Sequence, residues 1–424
     1  HPTIRDFLLD VQTTTQLQHR ARRVALLREH QGEWALAAAL WKQADELQRA
    51  MAGWRQAAFQ AIAQDDHHAA LTHFEALRQH GYGMNATEAT TLRLAHAQAR
   101  LVVKGYGDAV VQQLACDLAA QAGHVADPSL RFGVQFLQYM GSSSNGVGDG
   151  LDQADALWRQ AETPAQRMVA AWAQGNTRCW NGDSAGALQW LSAALALEPQ
   201  ATLAERSALF VTDPLNFARA QWLWMRSLRG DDVAALERDT HLAEQHLAGL
   251  PQPQDRCIYH CIAAFRAYTE GQFTALQQHA QAALSVAQEE SYNLSEAIAG
   301  LQLALASAYL EQPADLETLA PKLQVLQAGY AAGIPTGQWM VADMLRLSGQ
   351  PEAALSLCAR WIDAMPQQEH RHCQMDIHRI QAQCFARLGQ LETARAAWHN
   401  AQQVACAAGL QGWLHRWQTG AAPW

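Results

Sequence analysis

β-Branched residues are scarce in this sequence, and their scarcity argues against large β-sheets. Val, Ile and Thr are residues that strands favour, whereas Ala, Leu and Gln, all good helix formers, dominate the 424 residues. Hydrophobic residues make up 49% of the chain, which is enough for a substantial buried core. We therefore predict an all-α protein, long enough for several domains or for one elongated repeat array.

Lysine is scarce as well. Lys42, Lys104 and Lys322 are the three lysines among 31 basic residues, and the net charge is −9. Nucleic-acid affinity comes mainly from clustered basic side chains, so this balance disfavours an extended phosphate-binding surface. We expect no direct binding of nucleic acid by this chain.

The sequence also lacks the marks of a membrane or secreted protein. It has no apolar run of about eighteen residues, so no transmembrane helix is predicted, and no signal-peptide pattern is visible. The eight cysteines follow no framework spacing, so we expect free thiols and a cytoplasmic location. Because the chain opens at His1 without an initiator Met, we expect it to be a piece of a longer protein.

Catalytic motifs are missing too. We find no Gly-x-Ser-x-Gly, no His-Glu-x-x-His and no helical pair of carboxylates. The stretch 141–150 is rich in Gly and Ser but has no Lys to face a phosphate, so we predict a loop between repeats rather than a nucleotide site. The sequence therefore predicts that this chain is not an enzyme and needs no cofactor.

The main positive signal is an internal repeat. Short loops that begin with Gly lead into helices with an Ala-Leu pair or a close variant, and one degenerate copy begins with Glu. These loops start at Gly182, Gly230, Gly271, Glu311, Gly349 and Gly389, separated by 48, 41, 40, 38 and 40 residues. Gly supplies the left-handed cap that ends one helix, and a polar residue or Pro starts the next. One such hairpin cannot bury its own apolar face, so we predict a tetratricopeptide (TPR)-like superhelix of stacked hairpins, an α-solenoid.

Two groups of Cys and His have spacings that metal ligands can adopt. Cys257 and Cys261 share a helix face with His260 between them. The second group comprises His370, His372, Cys373 and His378. Neither group has the Cys-x-x-Cys pair of a structural zinc site, and Cys is also a common small core residue. We interpret both groups as structural and predict no metal site.

The 15 tryptophans are the most unusual feature of the composition. Most are expected to fill the core between hairpins, which large aromatic side chains do well. Trp222 and Trp224 lie two residues apart on one predicted helix, so they point to different faces and are not expected to be equally buried.

The candidate binding residues come from the first helix of each repeat, which is expected to line a concave surface. Arg219, Trp222 and Arg226 share one helix face at spacings of three and four. Tyr259 and Arg266, on the next first helix, would extend the same wall. We predict that these five residues bind the carboxylate or aromatic group of a partner.

Residues from about 205 to 417 resemble a particular bacterial group. The similar stretches include Thr212-Asp213-Pro214 before Ala220-Gln221-Trp222-Leu223-Trp224, Gly349-Gln350-Pro351-Glu352-Ala353-Ala354-Leu355, and Asp376-Ile377-His378-Arg379-Ile380. They look like the TPR-like region that follows the ATPase module in signalling ATPases of the STAND/AAA type, with a MalT-like architecture. In that group the ATPase is fused to LuxR-type or winged-helix DNA-binding domains, to adenylate or guanylate cyclases, or to kinases. Residues 1–8 resemble the end of such an ATPase module.

The resemblance and the repeat pattern together suggest a division of the chain. Residues 1–31 are expected to be the end of an ATPase-type module or the helices that lead into the repeats, and 32–140 the N-terminal repeats. The loop 141–150 separates these from the C-terminal TPR-like repeats at 151–418, and 419–424 form a tail. The repeat count between residues 80 and 165 is left open.

The resemblance implies a regulatory sensor rather than a catalyst. We expect a sensor and protein-interaction module of a bacterial signalling ATPase that acts as a transcriptional regulator, with a small ligand, peptide or protein bound in a concave groove. The alternative is a stand-alone TPR scaffold or chaperone that binds a peptide or protein partner. Self-association into a homo-oligomer is left open.

Overall fold

The computed structural model describes residues 13–82, 85–105, 107–121, 123, 125–142, 147–209, 212–312, 319–329, 334–364 and 370–419. Among the described residues, 85% are helical, and they form 22 α-helices and no strand. The prediction of an all-α protein is therefore confirmed. No described helix combines the length and the apolar character that crossing a bilayer requires.

The chain divides into two compact units. The first comprises His1–Arg100 and Ala120–Arg131. Its helices are α1 (Thr14–His30), α2 (Trp34–Gln43), α3 (Leu47–Ala63), α4 (His67–Gln79) and most of α5 (Ala86–Lys104). Helices α1 to α4 pack on one another in sequence. Gly53 permits a close approach between α3 and α2, because a Cβ there would lie 2.9 Å from the Cβ of Ala38.

The second unit comprises Leu101–Ala119 and Phe132–Trp424. Its first helices are α6 (Ala109–Gln121), α7 (Pro128–Ser142), α8 (Val147–Gln160), α9 (Pro164–Asn181), α10 (Ser184–Ala196), the short α11 (Leu203–Ser207), α12 (Pro214–Arg229) and α13 (Val233–Ala248). The remaining helices are α14 (Pro253–Glu270), α15 (Phe273–Glu289), α16 (Asn293–Tyr309), α17 (Leu319–Gly329), α18 (Ile334–Leu347), α19 (Pro351–Ala364), α20 (Arg371–Arg387), α21 (Leu391–Ala407) and α22 (Gln411–Thr419).

From α9 onward the helices alternate between two layers. The first helix of each hairpin packs beside the first helix of the next, in the order α9, α12, α14, α16, α18 and α20. The second helices, α10, α13, α15, α17, α19 and α21, each pack on the first helix that precedes them. Each hairpin thus covers an apolar face that it could not bury alone, as the repeat pattern predicts.

The predicted glycine caps mark the ends of first helices. All five glycines of the pattern adopt the left-handed conformation, in which a Cβ atom would be strained. Their φ values are 75° for Gly182, 87° for Gly230, 74° for Gly271, 78° for Gly349 and 78° for Gly389. Glu311, the degenerate copy, also has a positive φ of 56°. The left-handed turn of the repeat is therefore kept at the position where Glu311 stands in place of glycine.

The predicted loop at 141–150 is shorter than expected. Gly141 and Ser142 end α7, and α8 already begins at Val147, while residues 143–146 lie outside the described part of the chain. A Cβ at Gly141 would lie 3.2 Å from Oε1 of the Gln112 side chain on α6. Gly141 thus lies in the last turn of a helix that faces α6, although its residue type suggested a loop.

The compact units also divide the chain differently from the predicted bounds. The second unit includes Leu101–Ala119, so it begins well before residue 141. Of the predicted terminal segments, 1–12 and 420–424 lie outside the described residues. The functional assignment of these segments stays a prediction.

Candidate functional site

The second unit contains a cavity among its first helices. Its volume is about 830 Å³, which includes the solvent at its open mouth. Helices α9, α12, α14 and α16 supply most of the wall, and the ends of α5 and α7 complete it. The lining residues are Leu101, Val102, Met140, Trp172, Asn176, Trp180, Phe217, Gln254, Ile258, Cys261, Ile262, Phe265, Leu294, Ser295 and Ile298.

The wall is apolar, and none of the described residues that line the cavity is charged. Ile258, Ile262 and Phe265 recur at spacings of four and three along α14, so they form one continuous stripe. Ile298 faces the same cavity from α16, and both it and Ile258 are only half-buried. An apolar group that entered the cavity would cover these side chains and remove them from water.

Asn176 is the most constrained polar group in this wall. Its Nδ2 donates to the Tyr139 hydroxyl at 2.8 Å, and its Oδ1 accepts from Trp180 Nε1 at 3.1 Å and from Gln221 Nε2 at 2.6 Å. Burial raises the pKa of Tyr139 to about 12, so the phenol stays neutral. Helices α7, α9 and α12 are thus joined through one amide, which fixes the indole of Trp180 at the cavity wall.

The thiol in the wall is not an activated nucleophile. A hydrogen bond with Cys257 and burial both raise the pKa of Cys261 well above its ordinary value. Reactive cysteines need the opposite, a stabilised thiolate. The backbone oxygen of Cys261 accepts from Gln302 Nε2 at 2.8 Å, which ties α14 to α16. Cys261 therefore contributes to the packing of α14 on α16 and is not placed to react with a ligand.

Two residues of the cavity wall belong to an aromatic cluster, which we define as Trp180, Trp224, Phe265 and His372. The Trp180 ring lies 5.6 Å from Trp224, 6.1 Å from Phe265 and 5.8 Å from His372, centroid to centroid. Trp224 stacks on Phe265 at 5.4 Å and meets His372 edge-on at 5.6 Å. Such distances are favourable for aromatic pairs. The cluster joins α9, α12 and α14 to α20 near the C-terminus.

His372 is unusual within that cluster. It is 5% exposed, and neither ring nitrogen has a hydrogen-bond partner among the described residues. Burial, with a smaller contribution from His370, lowers the pKa of His372 to about 3. The imidazole is therefore neutral near pH 7 and acts as one more ring in the cluster.

The predicted binding residues on α12 form one local group outside this cavity. Arg219 pairs with Glu198, and Trp222 Nε1 donates to Ser192 Oγ at 3.0 Å. The Arg226 guanidinium lies 4.3 Å from the centroid of the Trp222 ring, so these two residues share a face as predicted. Trp222 is half-buried whereas Trp224 is buried, which agrees with the expected difference between them.

The arginines of this group already have acidic partners in the chain. Arg226 Nε donates to Asp231 Oδ2 at 2.7 Å, and its Nη1 pairs with Asp239 on α13. A partner's carboxylate would have to compete with these intramolecular ion pairs.

Tyr259 and Arg266 contribute little exposed surface to that wall. Tyr259 is 2% exposed, and burial raises the pKa of its phenol to about 12. Arg266 donates to Thr240 on α13 and lies 3.5 Å from Glu270. The five predicted residues therefore lie beside the second helices α10 and α13, and none of them lines the cavity. Their role in binding stays a prediction.

The two Cys and His groups do not converge on a metal geometry. Among the described residues, no three His, Cys, Asp or Glu side chains are placed to hold one ion. The Nδ1 of His260 lies 3.1 Å from Nδ1 of His279 on α15. Burial lowers the pKa of both imidazoles, that of His279 to about 4.

Comparison with known proteins identifies the fold but not a family. No protein-family model matches the sequence, and no curated protein matches it. Among solved structures, the chain is similar to a Rap protein crystallised in complex with Competence and Sporulation Factor. The two share 10% sequence identity and a TM-score of 0.58 over 85% of this chain and 99% of that one. At this identity the likeness shows the fold alone, a TPR-like helical repeat, and it confirms the predicted fold class.

Proposed function

We propose that this chain is a binding module that takes an uncharged, apolar stretch of a peptide or protein partner into the cavity of its second unit. The observation that carries this proposal is the open cavity of about 830 Å³, walled by Ile258, Ile262, Phe265 and Ile298 without a charged lining residue. Concave, mostly apolar cavities with a few polar groups are typical of ligand sites. The Rap protein of similar fold, which is complexed with a factor, supports a binding role for such repeats.

The apolar wall determines which side chains of a partner can enter the cavity. A carboxylate or ammonium group would lose its hydration there without meeting an opposite charge, which is costly. Aliphatic and aromatic side chains would instead gain contact with the α14 stripe. A bound segment therefore presents apolar side chains to the cavity and keeps its charges outside.

In a larger context, we propose that the module is the regulatory sensor of a bacterial signalling ATPase that controls transcription. The support is the sequence resemblance, most of all the stretch Thr212-Asp213-Pro214 that leads into Trp222 and Trp224. Binding would favour one packing of the hairpins and so bias the state of the ATPase part. A stand-alone scaffold would bind the same peptides without any effect of nucleotide on its affinity.

A second candidate surface is the group formed by Arg219, Trp222, Arg226, Tyr259 and Arg266. The stacking of Arg226 on the half-buried Trp222 favours it, because such pairs often anchor partners. The neighbouring carboxylates make this surface the weaker candidate for an acidic ligand.

A displayed library of random peptides, selected on the full chain, tests the cavity proposal. We expect enriched peptides to share an uncharged apolar core. These peptides should bind the wild type and Leu242→Trp, which adds the same side chain at an exposed position of α13, but not Ile258→Trp, whose larger side chain obstructs the cavity at the α14 stripe. Enriched peptides that bind Ile258→Trp as tightly as the wild type would overturn the proposal.

A further inference from the structure

Helix α1 of the first unit turns small residues inward and large ones outward. Its buried residues are Ala21 and Ala25. The opposite face presents a row of exposed side chains at spacings of three, four and seven. We name this row the α1 stripe, and it consists of Arg20, Arg23, Val24 and Leu27. A surface helix normally has apolar residues inside and polar residues outside, so the outward face of α1 is suited to contact with another molecule.

The apolar members of the α1 stripe are strongly exposed. Val24 is 41% exposed and Leu27 is 55% exposed, and Leu26 beside them is 42% exposed. Leu36, on the second helix of the same hairpin, is 54% exposed. Single exposed apolar residues are ordinary, whereas neighbouring ones mark an interaction surface. A partner that covered these side chains would remove them from water, which favours binding.

The charge of α1 is opposite to that of the whole chain. The helix carries four arginines and one glutamate, whereas the net charge of the chain is −9. The glutamate, Glu29, already has a partner within the hairpin, because its Oε1 accepts from Nε1 of the buried Trp41 at 2.6 Å. The outward face of α1 therefore concentrates positive charge beside apolar side chains.

The arginines of the α1 stripe differ from the other two arginines of this helix. Arg22 pairs with Glu46 at 3.1 Å, and Arg28 pairs with Glu33 at 2.7 Å. The two arginines of the stripe form no ion pair with any described residue. A partner's carboxylate would therefore not have to displace an intramolecular acid there, as it would at Arg226.

We propose that the α1 stripe docks an acidic amphipathic helix of a partner protein. The stripe is a straight ridge about 10 Å long, and ridges of this kind pack into the grooves of another helix. Leucine-type side chains of the partner would cover Val24 and Leu27, and its carboxylates would pair with Arg20 and Arg23. This surface belongs to the first unit and does not depend on the cavity of the second.

The probe is a displayed library of amphipathic helices, selected on the full chain. Each helix has Leu on one face, and the flanking positions are randomised among Glu, Lys and Ser. We expect the enriched helices to carry Glu at the flanking positions, because only Glu complements the arginines of the stripe. Fluorescence anisotropy with labelled helices then measures the affinity of each protein variant.

Reversal of the stripe's charge should weaken binding. We expect the double variant Arg20→Glu, Arg23→Glu to bind the enriched helices on the order of tenfold more weakly than the wild type. Leu27→Ser should weaken binding as well, because it removes an apolar contact. The matched control Arg238→Glu, Arg395→Glu makes the same charge change at exposed positions of the second unit, and it should bind as the wild type does.

Ile258→Trp, which obstructs the cavity, distinguishes the two binding proposals. We expect it to bind the enriched helices as the wild type does. Loss of binding in Ile258→Trp, with full binding by Arg20→Glu, Arg23→Glu, would assign the helices to the cavity and overturn docking at α1. Equal binding by all variants, or enrichment of Lys instead of Glu, would overturn it too.

Two further measurements identify other occupants of the stripe. Cosedimentation with vesicles of phosphatidylserine and phosphatidylcholine tests an anionic membrane, and sedimentation velocity tests a second copy of the chain. We expect neither vesicle binding nor self-association through α1. Vesicle binding or self-association that Arg20→Glu, Arg23→Glu abolishes would overturn the proposal of a helical protein partner.

Discussion

Arg379 Nη2 donates to Asp343 Oδ2 at 2.8 Å, and neither side chain is exposed to solvent. Arg379 also donates to Asp376 at 2.8 Å and to the Tyr268 hydroxyl at 2.8 Å. Burial opposes ionisation of Asp343, but the charges of Arg346 and Arg379 hold the pKa of that carboxyl far below its usual range. Helices α14, α18 and α20 are thus joined by one buried polar network beneath α22.

Loss of one partner in this network should be costly. Arg379→Met leaves two buried carboxylates with less compensation, and we expect the free energy of unfolding to fall by about 3–5 kcal/mol. Urea unfolding of the full chain checks this. Arg395→Met, which removes the arginine of an exposed ion pair with Glu392, should unfold like the wild type. The double variant Arg379→Met, Asp343→Asn should lose less than the sum of the single losses, because the orphaned charge is gone; strict additivity would contradict the pairing.

The buried His372 makes the free energy of unfolding depend on pH. Its pKa is lowered by burial from 6.5 to about 3, so the unfolded state takes up a proton first as the pH falls. The stability that depends on a neutral His372 is present above pH 6.5 and declines towards pH 3, by about 1.4 kcal/mol per pH unit. Nearby His370, whose pKa burial lowers to about 4, adds to the same trend.

Replacement of His372 by Phe should therefore flatten the pH dependence. Phe keeps a ring against Trp180 and Trp224 but cannot take up a proton. By pH 5 we expect the variant to retain about 2 kcal/mol of stability that the wild type loses. Chemical unfolding at several pH values between 7 and 4 measures this, with the exposed His399→Gln as control. Parallel curves for the wild type and His372→Phe would show that His372 is not buried and neutral.

Two helical glycines should respond oppositely to alanine. A Cβ at Gly175 would lie 2.6 Å from Leu191 Cγ and 3.2 Å from the Leu191 nitrogen, between α9 and α10. We expect Gly175→Ala to destabilise the protein by about 1–3 kcal/mol through overpacking. At Gly300 the added Cβ would meet only the flexible side chain of Lys322, so Gly300→Ala should be neutral or stabilising by up to about 1 kcal/mol. Thermal unfolding compares the two, and equal losses would argue against the close approach of α9 and α10.

The group around Arg226 offers a direct comparison of the two candidate surfaces. If the cavity is the binding site, Arg226→Ala and Trp222→Ala should leave the affinity for selected peptides unchanged within about twofold, because neither residue lines the cavity. Isothermal titration calorimetry with the selected peptides measures the affinity of each variant. A loss of affinity in both variants, with Ile258→Trp unaffected, would assign binding to the arginine surface instead.

Local signals predicted much of the fold. The glycine caps depend on neighbouring residues only, so the hairpin rhythm could be read from the sequence, and even Glu311 keeps the left-handed turn. The sequence pointed to first helices as the place of a binding surface, and first helices line the cavity. The five predicted residues lie on other faces of two of these helices, because the period of one helix cannot show which neighbour lies on each side. Which face binds a partner stays a prediction. Ile258, Ile262 and Phe265 carried a usable signal, an apolar stripe on a helix that also buries Tyr259 on another face.

Contacts between residues distant in sequence were beyond such reasoning. Gly412 approaches Gly230 from the far end of the unit, and the pairing of His372 with Trp180 joins α20 to α9. The local propensity of Gly141 was also misleading, because this residue typical of loops lies in the last turn of α7. Gly412 lies outside the repeat pattern. A glycine that no repeat position requires is a sign in the sequence of such a close backbone contact.

The most direct test of the cavity as a binding site is methyl NMR of the full chain labelled at the isoleucine δ1 positions. Peptides selected on the wild type should shift the methyl signals of Ile258, Ile262 and Ile298, which line the cavity, and leave those of Ile62 and Ile362 in place. Shifts at Ile62 or Ile362 without any change at the three cavity methyls would contradict the account.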